Sequence, residues 1–224
     1  KAGVFTILKV VVYLFGIDRI EQLAVADWLA ALAALTILLA SLVAMTRDNL
    51  KARLAYSTIS QLGYIPLGAM LGVAAGVVGG GMHIVMHAFG KITLFFCAGA
   101  ILVAAHKTRV SELDGLGRRM PLTMLAFLIG ALSIVGLPPF GGTWSKWLLV
   151  QGTLDTGMWL LTATLLISSL LNIMYLVVIP VRGFFAKPAS GASGLQEAPI
   201  ASLLAIGVAV LGCIVLFFSP DPVY

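Results

Sequence analysis

The sequence predicts an all-α, polytopic transmembrane helix bundle with about seven spans, one of which is a discontinuous helix over 121–152. Of its 224 residues, 60% are hydrophobic and only 10% are charged, and the mean hydropathy is +1.07. Apolar stretches of about 20 residues, the length that an α-helix needs to cross a bilayer, recur along the chain. The short alternating segments typical of a transmembrane β-barrel do not occur in the sequence.

The predicted spans follow one another with short polar connections. The first, near 1–16, opens directly on an apolar run that has neither a methionine nor a helix cap. We therefore expect a single transmembrane domain over 1–224 that is a fragment of a longer protein whose N-terminal half is missing. The other spans are predicted near 28–46, 55–76, 80–105, 121–152, 157–181 and 199–218.

The charges in the connections predict the orientation of the bundle. The loops 46–53, 106–120 and 182–198 lie on one side if seven spans are present, and they hold nine of the 14 Lys and Arg residues. The opposite side holds only Arg19. Loops rich in Lys and Arg stay on the cytoplasmic or matrix side, so we expect an integral protein of a bacterial or archaeal cell membrane, or of an organellar inner membrane. This distribution accounts for the net charge of +5 without nucleic acid as a partner.

Sequence signatures of a cofactor or metal are missing. Cys97 and Cys213 both fall in apolar spans, where they fit neither a disulfide framework nor a zinc site and are expected to be small core residues. The sequence has no nucleotide-binding loop, dinucleotide fingerprint or Cys/His metal motif. We expect no cofactor and no metal in this chain, and hence no redox site of its own.

The fifth span is interrupted by Pro138-Pro139 and Gly141-Gly142, and Lys146 follows the interruption. Proline removes a backbone donor and glycine loosens the backbone. In hydrocarbon such a break is tolerated only inside protein or beside a water-filled cavity, and broken helices with a nearby charge are typical of secondary transporters. A lysine that extends to the membrane interface is the alternative interpretation.

The ionisable residues inside the predicted spans are all basic, whereas the nine carboxylates map to loops, termini or span edges. A lysine without a partner is costly in hydrocarbon. Either these lysines titrate, or water solvates them, or carboxylates come from other segments or subunits. The basic residues are Lys1, Lys9, His83, His87, Lys91 and Lys146.

His83, His87 and Lys91 are spaced i, i+4, i+8, which places them on one helix face with successive groups about 6 Å apart. That spacing suits a proton relay in which ordered water bridges the longer gaps. A metal held by the histidine pair is an alternative, although no carboxylate or cysteine is near in the sequence. The other alternative is that the three polar residues simply hydrogen-bond within the core of the bundle.

Polar residues also recur along the third predicted span, at Tyr56, Ser57, Ser60, Gln61 and Tyr64. The last four form one stripe, which can hold water or join helices. A weaker stripe in the sixth span contains Ser168, Ser169, Asn172 and Tyr175.

Three motifs in the sequence carry a family resemblance. The longest is Leu50-Lys-Ala-Arg-Leu-Ala-Tyr-Ser-Thr-Ile-Ser-Gln-Leu-Gly-Tyr64, the second runs from His83 to His87-Ala-Phe-Gly-Lys91, and the third runs from Leu137-Pro-Pro to Ser-Lys146. The first resembles a signature of the antiporter-like membrane subunits that respiratory complex I (its L, M and N subunits) shares with Mrp-type cation/proton antiporters (subunits A and D). The second is similar to the His-rich helix of those subunits, and the third is similar to their second discontinuous helix.

The resemblance implies a fold that includes two inverted five-helix repeats, each with a broken helix, and this chain resembles the second half of that fold. It implies that Lys1 is the central lysine between two half-channels, that His83, His87 and Lys91 form the second relay, and that Lys146 ends it. Gly90 replaces a bulky aromatic residue, and Thr143-Trp144 replaces the commoner Gly-Phe pair. Those departures leave the subfamily open.

The predicted function is proton translocation across an energy-transducing membrane through a buried Lys/His relay. The chain would be a membrane-arm subunit of a complex I-like NADH:quinone oxidoreductase, with the redox chemistry on other subunits. One alternative is an A- or D-like subunit of an Mrp-type Na⁺/H⁺ antiporter, and another is a structural membrane scaffold. The expected partners are other membrane subunits, the lipid bilayer, protons and, for the antiporter, Na⁺.

Overall fold

The structure is a computed structural model that describes residues 1–187 and 194–223. Over these ranges the chain is helical between its connections, and the one β-bridge joins Asn49 to Arg109. The predicted all-α class is therefore confirmed. Each predicted span corresponds to one or two helices.

The helices are as follows. The first span consists of α1 (Ala2–Lys9), which continues as a π-helical segment (Val10–Phe15) and is followed by the short α2 (Ile17–Glu21). The remaining helices are α3 (Ala24–Thr46), α4 (Leu50–Met70), α5 (Ala74–Ala105), α6 (Pro121–Val135), α7 (Gly142–Asp155), α8 (Trp159–Asn172), α9 (Val178–Phe185) and α10 (Ile200–Phe218), with a π-helical segment (Ile173–Val177) between α8 and α9.

Four of the described helical segments are long and apolar enough to cross a membrane: α3, α5, the continuous stretch Trp159–Phe185 and α10. Ala2–Phe15 and Pro121–Val135 are shorter apolar helices. The 21-residue α4 is not among them, which fits the polar stripe along it.

The predicted boundary between the third and fourth spans is wrong. The turn lies at Leu71 to Val73, where Gly72 has a φ of 67° that only glycine adopts easily. Gly76 and Gly79 lie inside α5 instead, where they permit close packing. A Cβ on Gly79 would lie 2.9 Å from the backbone nitrogen of Leu149 in α7, so the backbones of α5 and α7 touch there.

Two buried apolar clusters flank a polar layer. Along α4, Leu50 and Leu54 belong to one cluster and Tyr64 and Leu67 to the other. Ser57, Ser60 and Gln61 lie between them and are fully buried. The polar stripe of α4 is thus enclosed by the bundle.

The predicted discontinuity is confirmed, because α6 ends at Val135 and α7 begins at Gly142. Pro138 and Pro139, joined by a cis peptide bond, are exposed, whereas Gly141 and Gly142 are buried.

The last helix supplies partners for this break. The Gly141 N–H donates to the carbonyl of Cys213 in α10 (2.8 Å), and the Trp144 indole N–H donates to the carbonyl of Phe217 (2.8 Å). The rings of Trp144 and Phe217 also stack. These contacts satisfy donors that a broken helix would otherwise leave unpaired in hydrocarbon.

The predicted basic loops meet at one end of the bundle. The Asp48 carboxylate accepts hydrogen bonds from the backbone and hydroxyl of Ser111 (both 2.9 Å), and these bonds hold the pKa of Asp48 below its ordinary value. Asp114 pairs with Arg182 at 2.7 Å, which joins the second loop to the third. Part of that third loop, 188–193, lies outside the described residues.

Candidate functional site

The predicted relay residues of α5 share one buried face. His83, His87 and Lys91 are 2%, 1% and 5% exposed. The two imidazole rings stack with their centroids 5.5 Å apart and their planes 14° from parallel. The helical spacing thus brings the histidines into contact inside the bundle.

The Tyr64 ring of α4 extends this stack toward the helix break. Its centroid lies 5.2 Å from that of His83, with the rings 18° from parallel, and its hydroxyl donates to the carbonyl of Leu165 (3.3 Å). The amine of Lys146 lies 5.0 Å from the centroid of the same ring. His87, His83, Tyr64 and Lys146 therefore form a continuous column.

The break in the fifth span provides acceptors for Lys146. Its amine donates to the carbonyl of Val135 (3.1 Å) and to the hydroxyl of Ser169 (3.0 Å). Val135 is the last residue of α6, and the C-terminal end of a helix carries partial negative charge that favours a cation. The side chain is buried, so its amine is held inside the bundle rather than extended to a surface.

Ser145 connects the break to the histidines. Its hydroxyl donates to the carbonyl of Gly142 (3.2 Å), and it lies 3.0 Å from Nδ1 of His83. With the serine hydrogen used in this way, Nδ1 of His83 is the donor, and Nε2 of the neutral ring is left as an acceptor.

Several buried polar atoms near this column have no protein hydrogen-bond partner among the described residues. They are Nε2 of His83, both ring nitrogens of His87 and both amide atoms of Gln61. Buried groups of this kind usually bond to ordered water.

Lys91, one turn beyond His87, bonds to α4. Its amine donates to the hydroxyl of Ser57 (2.7 Å) and to the carbonyl of Leu54 (3.2 Å). Ser57 lies 3.1 Å from the hydroxyl of Tyr175, which also bonds to the side-chain oxygen of Asn172. The weaker stripe of the sixth span thus joins the site.

A cluster of hydroxyls lies where α3, α4 and α8 meet. Ser41 is 2.8 Å from Ser60 and 3.4 Å from Ser168, and the last two are 3.4 Å apart. All three are fully buried. The sequence does not point to Ser41, because a lone serine in an apolar helix forms no periodic pattern.

Other candidates lie at the edge of this arrangement or outside it. The amine of Lys1 donates to the carbonyl of Ile84 (2.9 Å), next to His83, although the residue is exposed. Lys9 is exposed over the rings of two aromatic neighbours. Tyr56 faces away from the stripe and contacts the guanidinium of Arg47, 5.2 Å from its ring centroid.

A cavity of about 520 Å³ adjoins the column at Lys146, and α7, α8 and the helix break form its walls. Lys146, Ser169 and Tyr64 are its main polar contributors, and the remaining lining is largely apolar. Among the described residues, no group of three or more His, Cys, Asp or Glu side chains could hold a metal ion.

Residues 1–172 match the sequence profile of a family described as "NADH:quinone oxidoreductase/Mrp antiporter, TM". Subunit N of the NADH-quinone oxidoreductase of Desulforudis audaxviator is 37% identical over an alignment of 207 residues, which covers 85% of this chain and 41% of that protein.

Two solved structures share the fold. A chain of Thermus thermophilus respiratory complex I with bound NADH has 25% identity and a TM-score of 0.82 over 99% of this chain and 46% of that one. A chain of the Mrp complex of Dietzia sp. also has a TM-score of 0.82, at 22% identity, over 98% of this chain and 48% of that one. The chain thus spans less than half the length of these proteins.

Proposed function

Because the chain belongs to the NADH:quinone oxidoreductase/Mrp antiporter transmembrane family, we propose that it translocates protons as part of a multisubunit membrane complex. The observation that carries the proposal is the buried column from His87 to Lys146, with Lys91 one turn beyond it. The column consists of groups that can take up and release protons, and it is held by three packed helices.

The geometry supports a stepwise transfer. The path runs between Lys91 at one end and Lys146 at the other, through the stacked histidines, and Lys1 approaches it beside His83. Where neighbouring groups are too far apart for a direct hydrogen bond, an ordered water can bridge them. Since two ammonium groups repel each other, a proton that arrives at one lysine favours departure from the next, and titration is shared along the path.

The Lys146 end of the path lies at the helix break, where the adjoining cavity connects the amine to a region outside the packed core. The Lys91 end lies nearer the basic loops, because α5 runs from Lys91 to the connection at 106–120. We propose that these loops face the cytoplasm or matrix, as the excess of Lys and Arg favours.

The complex that we favour is a redox-driven proton pump. The relative from Desulforudis audaxviator is a subunit of an NADH-quinone oxidoreductase, and the Thermus thermophilus structure is of complex I. In this proposal electron transfer takes place on other subunits, and this chain contributes a route for protons.

A cation/proton exchanger is the second candidate, because the family description names Mrp antiporters beside the oxidoreductases. It predicts proton movement that depends on Na⁺ and needs no electron donor. Purifying the native complex in mild detergent, followed by mass spectrometry, separates the two candidates. Flavin and iron–sulfur subunits support the first, whereas only small hydrophobic partners support the second.

The decisive test replaces Lys91 and Lys146 together by alanine in the intact complex and measures proton pumping in sealed membrane vesicles. We expect the rate to fall by about a hundredfold, the lower end of what a positioned proton-transfer group contributes. Lys9→Ala is the matched control, because it removes a lysine that lies outside the column. Normal pumping by an assembled double variant would refute the proposal and favour a scaffold.

A further inference from the structure

The amine of Lys91 bonds to α4 and not to His87, its neighbour in the proposed relay. Its amine donates to Ser57 and to the carbonyl of Leu54, both on α4. His87, one turn earlier on α5, has no hydrogen-bond partner at either ring nitrogen among the residues that the structure describes. To pass a proton to His87, the amine therefore has to leave Ser57 or use a bridging water.

The bond between Lys91 and Ser57 is backed by two further side chains. The Tyr175 hydroxyl has one hydrogen, and the side-chain oxygen of Asn172 can only accept, so Tyr175 donates to Asn172. The hydroxyl of Ser57 then donates to Tyr175 across 3.1 Å, and its oxygen is free to accept from Lys91. The hydrogen bonds from Lys91 to Ser57, Tyr175 and Asn172 therefore all run in the same direction, and such a series of hydrogen bonds strengthens each of its members.

The backbone geometry explains why these two residues meet Ser57. Tyr175 lies in the π-helical segment Ile173–Val177, and Asn172 immediately precedes that segment. Single π-turns inside helices shift the direction of their side chains and occur frequently at functional sites. A guanidinium nitrogen of Arg53 lies 3.4 Å from the Tyr175 carbonyl and supports the segment from α4.

We infer that Tyr175 and Asn172 are positioning residues that hold Lys91 on Ser57 between proton transfers, so that the link to His87 is made only when the amine moves. In the transfer itself, the ammonium of Lys91 becomes a neutral amine and His87 becomes an imidazolium. Neither Tyr175 nor Asn172 gains or loses a proton. The inference rests on the proposed proton translocation and adds a control point to it.

The test is Tyr175→Phe in the intact complex, which removes one hydroxyl and keeps the ring. Each transfer starts from the amine held on Ser57, and losing one buried hydrogen bond shifts the equilibrium between the held and the displaced amine by about fivefold, so we expect the pumping rate to fall by about that factor. Thr93→Val is the control, because it removes another buried hydroxyl of α5. That hydroxyl donates to the carbonyl of Phe89 and lies 3.8 Å from the sulfur of Cys213, outside the column. It is expected to pump normally.

Two further comparisons separate positioning from a general effect on the fold. Ser57→Thr keeps a hydroxyl and is expected to retain pumping, whereas Ser57→Ala is expected to lose it to the same extent as Tyr175→Phe. In a Lys91→Ala background, Tyr175→Phe is expected to change nothing further, because its effect passes through the missing amine. A cryo-EM map of the Tyr175→Phe complex should show the Lys91 amine beyond hydrogen-bond distance of Ser57.

Each outcome bears on one proposal. Normal pumping by Tyr175→Phe, or an effect of equal size in the Lys91→Ala background, would overturn the positioning role while leaving proton translocation intact. Normal pumping by the Lys91 and Lys146 double variant would overturn translocation itself. If the Tyr175→Phe complex does not assemble, Asn172→Leu tests the same series of hydrogen bonds, because it removes the acceptor of the Tyr175 hydroxyl.

Discussion

Replacing Gly142 by alanine should displace the start of α7 and disturb Lys146, one turn further on. A Cβ built on Gly142 would lie 1.9 Å from the carbonyl oxygen of Ser133. Both sides of this contact are backbone, so neither can rotate away. A normal contact of this kind is at least about 3.4 Å, and the start of α7 would therefore have to move by roughly 1.5 Å.

Such a shift acts on both stability and transport. Overpacking of a well-packed interior typically costs about 1–3 kcal/mol. The amine of Lys146 bonds to the carbonyl of Val135 at 3.1 Å across the same junction, so moving α7 breaks or lengthens that bond. A misplacement of about 1 Å can lower a rate by about a hundredfold, and we expect a loss of pumping larger than the loss of stability alone would give.

The assay compares Gly142→Ala with Gly99→Ala in purified, assembled complexes. Gly99 lies in α5, and no atom of the described residues lies within 4 Å of its potential Cβ, so alanine is expected to be accepted there. Thermal unfolding in detergent reports stability, and acidification of sealed vesicles reports transport. If Gly142→Ala unfolds and pumps like Gly99→Ala, the close packing of α6 on α7 does not hold Lys146 in place.

Three further outcomes follow from other contacts. Gly90→Ala would place a Cβ 2.8 Å from Ile134 and should lower the unfolding free energy by about 1 kcal/mol. Adding Ile134→Ala should remove that clash, and a double-mutant cycle in thermal unfolding measures the coupling between the two substitutions. Glu197→Ala removes the carboxylate that bonds to the first turn of α6 and should cost about 1 kcal/mol in the same assay. Because hydrogen bonds from Ser111 lower the pKa of Asp48, their stabilisation is present above the ordinary carboxyl pKa and is lost as pH falls through the folded-state value. The protection of the 106–120 loop against hydrogen exchange, taken relative to the intrinsic amide rate at each pH, should therefore fall in acid, and Asp48→Asn should abolish that dependence.

The sequence was sufficient to predict the helical class, the break and the buried face of α5. These features depend on signals that are local and strong. Proline pairs and adjacent glycines interrupt a helix wherever they stand, and residues spaced i, i+4, i+8 share a face whatever surrounds them. The motif from Leu50 to Tyr64 added a resemblance that periodicity alone could not supply.

The partners of the buried groups could not be predicted in the same way, because they depend on how helices pack. Ser41 joins Ser60 and Ser168 only through the crossing of three helices. Tyr175 reaches Ser57 with the help of a π-helical turn, which the sequence pattern does not indicate. Tyr56 lies off the polar stripe, and its ring contacts the guanidinium of Arg47 because it is near the loop end of α4.

The contact between Trp144 and α10 gives the protein an intrinsic fluorescent probe at the helix break. Trp144 is 37% exposed, while the other three tryptophans, Trp28, Trp147 and Trp159, are 62–78% exposed. Its indole bonds to the Phe217 carbonyl, a contact that opens if α7 moves away from the last helix. In a variant that keeps only this tryptophan, the emission wavelength would follow the junction during turnover, without an added label.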